Sequence, residues 1–196
     1  MKQIPTWQWA AIALGGLLVW QIVLNTDVVL VLGLSAAGLI EKTRAWLPAI
    51  AAVAALVVAG LGFHLLYLWP GRGLVEIGVT SRHLARDLLL GTTVGVVQSA
   101  ISLFVVIPAL GDAVNEVMSA VRGLMESPER LVASIVLVVL YGGIVEEIFF
   151  RGHLIHALRN LLGNRAWSIA AAGVVSVALF AFAHRYQGEI GIWYGV

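Results

Sequence analysis

Residues 131–151 read LVASIVLVVLYGGIVEEIFFR. The first fifteen carry no charge; Glu146, Glu147 and Arg151 then follow within six positions. An apolar run of about 20 residues is what a helix needs to cross roughly 30 Å of hydrocarbon. The stretch is therefore a membrane span with ionisable side chains at one end. Each such group costs about 2.5–3.5 kcal/mol or more in lipid, and a helix with no task for them would not keep three together. Some thirty residues on, a second apolar run ends in Phe180-Ala181-Phe182-Ala183-His184. An acid pair, an Arg and a His on lipid-embedded helices imply a catalytic or a transport site.

Composition extends this reading to the whole chain. Of 196 residues 60% are hydrophobic and 12% charged, and the mean hydropathy is +0.95; soluble domains carry about 25% charged residues. The expected fold is all-α, a polytopic transmembrane helical bundle forming a single domain over residues 1–196. A net charge of +1 gives no sign of a nucleic-acid partner, and the lipid bilayer is the partner that composition requires. No cysteine is present, so there is neither a disulfide framework nor thiolate chemistry. Trp7–Leu24 lacks a small-residue cleavage site and a polar sequel, and reads as a span and not a signal peptide.

Apolar runs predict further spans at Ala45–Trp69, Leu88–Leu110, Leu131–Phe150 and Ala166–His184. Val28–Ile40, set off by Asn25-Thr26-Asp27, is short enough to be a tilted or re-entrant piece, giving five to six spans. Residues 1–44 thus hold N-terminal spans without an evident role. Residues 74–87 read as an interfacial connector, and 111–130 as an amphipathic helix on the membrane surface. Trp7, Trp46, Trp69 and Trp167 fall at predicted ends, where indole rings anchor to the interface. Lys and Arg are spread too evenly over the loops to orient the chain.

Within the acid motif, Glu147 and Arg151 are four apart and share a helical face, so they can pair. Glu146 is rotated about 100° from Glu147 and is left for another task. Gly142 and Gly143, one turn earlier, would let a neighbouring helix approach. If the helix runs to about Asn160 and turns at Gly163-Asn164, Glu146 lies 17 residues before Gly163 and His184 lies 21 after it. At 1.5 Å per residue those are depths of roughly 26 and 32 Å, within about one turn of each other. Antiparallel neighbours would bring acid and imidazole to one level, with Phe180, four before His184, packed beside the ring.

EEIFFRG resembles the EExxxR motif of the CPBP family, the CAAX-protease and bacteriocin-processing proteins also called Abi proteins. FAFAH resembles that family's second motif, FxxxH, at the expected distance downstream. The resemblance takes in residues 84–196 as a catalytic core, with its specific part at 131–184. It implies a multi-pass hydrolase of a bacterial or archaeal cell membrane, an intramembrane protease of the type II CAAX prenyl protease kind. Glu146 and His184 would activate a water on a peptide carbonyl, supported by Glu147, Arg151 and Phe180. The substrate would be a prenylated protein C-terminus or a small peptide. A cofactor is either not required or is a divalent metal such as zinc, held by Glu146 and His184 in a metalloprotease. The family's third motif, a later His followed by Asn or Asp, is not found in the twelve residues after His184. The core is therefore expected to be truncated at its C-terminal end, or divergent.

Other readings stay open on the residues alone. The Glu147–Arg151 pair fits helix locking better than direct chemistry, and His184 serves equally as an interfacial cap. His153 and His156 read as interfacial histidines, and His64 as a packed, hydrogen-bonded one. Asp112 and Glu116 read as the solvated face of the surface helix. A non-catalytic immunity or scaffold protein, or a small proton-coupled carrier using Glu146 and His184, would also keep these residues. H-E-x-x-H and GxSG are absent, which sets aside the usual zinc and rhomboid serine chemistries.

Overall fold

The computed structural model describes residues 4–68, 70–110, 123 and 127–187. Among these the regular structure is helical throughout. Five stretches are long and apolar enough to cross a membrane: Thr6–Ala36, Leu47–Leu68, Leu84–Val106, Pro128–Leu161 and Ala166–Ala183. The protein is an all-α, multi-pass integral membrane protein. Residues 111–122 and 124–126, which hold Asp112, Glu116 and most of the expected surface helix, lie outside the described residues, as does Trp69.

The first stretch is two helices, α1 (Thr6–Leu24) and α2 (Thr26–Ala36). Asn25 breaks the winding, and its backbone N–H reaches only Ile22 O at 3.1 Å. The Asn25 amide donates to Gln21 O and the Thr26 hydroxyl to Ile22 O, at 2.7 and 3.0 Å. These side chains satisfy the last carbonyls of α1, so helix resumes at once where the sequence had suggested a separate short piece. The other long helices are α3 (Leu47–Leu68), α4 (Leu84–Val106), α5 (Pro128–Leu161) and α6 (Ala166–Ala183).

The chain divides into two compact units. Residues 80–128 form one and contain α4, which opens with an Arg86–Asp87 ion pair at 3.1 Å. The other joins residues 1–79 to residues 129–196. In that unit α5 is central, touching α1, α3 and α6. α3 and α6 are apolar almost all round, and small side chains occupy their inward faces. On α3 Ala52, Ala55, Ala59 and Gly62 form a buried stripe of small residues that lets backbones close, followed by the buried rings of Phe63 and Tyr67. On α6 they are Ser168, Ala172, Ser176 and Ala181. Aromatic rings fill what remains: Trp20 of α1 stacks on Phe149 at 4.8 Å and meets Phe150 edge-on at 5.0 Å. Such pairs contribute about 0.5–1.5 kcal/mol each beyond area burial. The leucines and valines left exposed, Leu14, Leu18, Val57 and Val174 among them, suit a lipid-facing surface.

α5 and α6 run back on each other through a tight turn. Gly163 (φ 85°) and Asn164 (φ 54°) take left-handed conformations, and Asn164 N–H donates to Arg159 O at 2.9 Å. Glycine and asparagine are the residues that accept this backbone at least cost.

Close approaches occur at Gly15, Gly16, Gly62 and Gly152 and not at Gly142–Gly143. A Cβ on Gly16 would overlap the His153 ring, one on Gly62 would overlap Val19, and one on Gly152 would stand 2.7 Å from Ile77 O. Gly142 instead opens into a cavity. Gly16→Ala should accordingly lower the melting temperature in detergent, by an overpacking cost of about 1–3 kcal/mol. Gly60→Ala, with no atom within 4 Å of the new methyl, should leave it unchanged or raised.

Candidate active site

From Val138 to Leu154, α5 is wound as a π-helix, with i→i+5 pairing. The wider turn changes which residues share a face. Glu146 turns inward, its side chain 13% exposed, while Glu147 stays on the outer side at 44%. The two adjacent carboxylates therefore occupy separate environments.

Glu146 meets the end of α6. Its Oε1 lies 3.8 Å from Nε2 of His184, whose side chain is 17% exposed. His184 Nδ1–H donates to Phe180 O at 2.9 Å, because a carbonyl can only accept. In the neutral ring this leaves the lone pair on Nε2, the nitrogen facing Glu146. Phe180 braces the imidazole, ring to ring at 4.3 Å, and packs edge-on against Phe150 at 5.0 Å. The hydroxyl of Ser176 donates to Phe150 O at 2.7 Å and pins α6 to α5 one turn from the acids. Both Glu146 and His184 line a partly open cavity of about 580 Å³, with Val23, Thr26, Asp27, Ala55, Tyr141 and Gly142 among its other walls.

Glu147 and Arg151 form an ion pair on the outer side of α5. The Arg151 guanidinium also lies 6.0 Å from the Phe180 ring centre, so it reaches across to α6.

The remaining histidines differ from their sequence reading. His153 is completely buried, its Nδ1 2.8 Å from the Tyr67 hydroxyl and its ring filling the notch at Gly16. It is a helix–helix fastener and not an interfacial residue. Seven residues after Glu146 would be the same face of an α-helix, but the wider winding separates them. His156 is half-buried, edge-on to Trp9 at 5.1 Å, with Glu76 at 3.8 Å. His64 is exposed and not packed, beside a small cavity of about 100 Å³ lined by Phe63, Val145 and Ile148. Sequence reasoning passed over Asp27 and Tyr141 as cavity residues. The signal for the first was available: Asp27 is the sole charged residue between Thr6 and Ala36.

Among the described residues no three His, Cys, Asp or Glu side chains gather at one point. Glu146 and His184 offer two donors, one fewer than a catalytic zinc usually takes from protein.

Residues 128–196 match the family described as type II CAAX prenyl endopeptidase Rce1-like. This part of the chain is similar to that family. The match contains both EExxxR and FxxxH, and it bears out the resemblance drawn from them. The family is one of CAAX-type prenyl endopeptidases, and the similarity to it covers about a third of the chain. Searches of curated proteins and of solved structures found no match.

The outer ion pair can be tested separately from the inner one. Arg151→Ala leaves the Glu147 carboxylate without its cation and should lower the melting temperature in lipid nanodiscs by a few degrees. Adding Glu147→Gln should restore most of the loss, since the cost lies in the unpaired charge. A double variant no more stable than Arg151→Ala would contradict this.

Proposed function

We propose that the chain is an intramembrane endopeptidase in which Glu146 and His184 together activate a water toward a peptide carbonyl. The observation that carries this reading is the 3.8 Å approach of Glu146 Oε1 to His184 Nε2 on the wall of a cavity inside an apolar helix bundle. That separation is too long for a direct hydrogen bond and suits one water held between both atoms.

The water donates one hydrogen to the Glu146 carboxylate and the other to Nε2 of His184. Its remaining lone pair is then directed at the carbonyl carbon of a peptide in the cavity. Glu146 removes a proton as the C–O bond forms and passes it to the amine as the C–N bond breaks. His184 is held for this by its Nδ1–H on Phe180 O and by the Phe180 ring. Glu147, Arg151 and Ser176 fix the two helices against each other and touch no reacting atom. The substrate class that fits the family is a peptide bond near a C-terminus or in a small peptide, of the prenyl-protein or bacteriocin-processing kind.

General acid–base catalysis contributes roughly 10²–10⁴ in rate. With the protein reconstituted in liposomes, Glu146→Gln and His184→Ala should each reduce cleavage of a quenched fluorescent peptide by that factor. Circular dichroism and elution volume should not change. Full activity in either folded variant would overturn the mechanism.

A further inference from the structure

The cavity that holds Glu146 and His184 has a second acid on its wall, Asp27, with Thr26 beside it. Asp27 lies in the 31-residue stretch Thr6–Ala36, where it is the only charged side chain. Asp27 is exposed at the break between α1 and α2, so its carboxylate is open to the cavity. None of the ion pairs among the described residues includes Asp27. The carboxylate does lie in the first turn of α2, where the helix dipole favours an acid. That accounts for its sign. It does not account for its place on the wall of the cavity that holds Glu146 and His184.

Its distance from the inner pair can be read from helix packing. Trp9 lies against His156, and Trp20 lies between Phe149 and Tyr141, so α1 and α5 run antiparallel. Seven residues beyond Trp20, Asp27 comes level with Leu137 and Val138, which line the same cavity. Val138 precedes Glu146 by eight residues, which is roughly 12 Å at an α-helical rise and less where the turn is wide. An extended peptide covers roughly 3.3–3.6 Å per residue. Asp27 therefore stands about three residues along the chain from a carbonyl held at Glu146.

We infer that Asp27 is a specificity-determining residue that receives a cation of the substrate, a Lys or Arg side chain or a free α-amine, about three residues from the scissile bond. The inference rests on the peptidase reading above and narrows it. A carboxylate at this end of the cavity opposes a substrate whose own C-terminal carboxylate would lie there, and favours a basic peptide. The Thr26 hydroxyl donates to Ile22 O, so its proton is not directed at Asp27.

The test uses the full chain in liposomes and a set of peptides in which Lys, Gln or Glu is scanned through every position. Cleavage sites are read by mass spectrometry. A peptide with a free amine and one with an acetylated amine, each compared at its best position, separate the two kinds of cation. A Lys peptide should exceed its Gln counterpart in kcat/KM by roughly tenfold through KM, as a charge-assisted contact would give. Asp27→Asn should bring that ratio to about one, and Asp27→Lys should reverse it in favour of Glu. A role confined to the helix terminus would lower stability and leave the ratio as it was. An unchanged ratio in folded Asp27→Asn overturns the inference while hydrolysis stands.

If the wild-type protein cleaves none of the peptides, the peptidase reading fails, and binding decides the second point. Fluorescence anisotropy on the Glu146→Gln protein should then show tighter binding of Lys than of Glu peptides, lost on adding Asp27→Asn. Equal binding overturns it.

Discussion

The unit formed by residues 1–79 and 129–196 is organised by the cost of placing ionisable side chains in hydrocarbon. α5 carries Glu146, Glu147, Arg151, His153 and His156 within eleven positions of a span that is otherwise almost wholly apolar. Each finds a different solution. Glu147 neutralises Arg151 on the outer side, His153 takes the Tyr67 hydroxyl, and His156 faces Glu76. Glu146 turns to a cavity and an imidazole. The first three solutions are structural, and together they hold α5 against α1, α3 and α6. The fourth leaves a carboxylate and a ring nitrogen on the wall of a space that a ligand can enter.

The wide winding of α5 makes this distribution possible. In an α-helix seven residues return to nearly the same face, which would bring Glu146 and His153 together. With i→i+5 pairing they diverge, one to α6 and the other to α1. π-Helical geometry is usually found in short pieces at functional sites, and here it spans the whole acid motif. Small residues on the facing helices, the alanines of α3 and the serines of α6, admit the broader cylinder. Phe149, Phe150 and Trp20 then fill the remaining space with rings.

Much of this could be read from the residues. Uniform apolar runs of sufficient length located the spans, and the count to the Gly163-Asn164 turn put Glu146 and His184 at one depth. The Glu147–Arg151 pairing followed from spacing. What the residues did not disclose depended on partners distant in sequence. His153 looked interfacial because its partner is on α3 and its notch is on α1. Gly142–Gly143 looked like a packing site because nothing local distinguishes a glycine that meets a helix from one that opens a cavity. Val138–Leu154 has no feature that marks it for wide winding. Asp27 was taken as an interruption, because the capping of α1 by Asn25 and Thr26 that keeps the helical path intact is visible only in three dimensions.

The fit of His153 into the notch at Gly16 has a consequence for biosynthesis. The two residues are 137 positions apart, and ribosomes add roughly 5–20 residues per second. α1 therefore leaves the ribosome on the order of ten seconds before the ring that occupies its notch. During that interval α3, which packs Gly62 against Val19, is the partner available to α1, and Trp9 and Trp20 lack their ring contacts from α5. The late arrival of α5 supplies those contacts. The contact between α1 and α5 is thus completed by the later helix, onto a notch that the earlier one already carries.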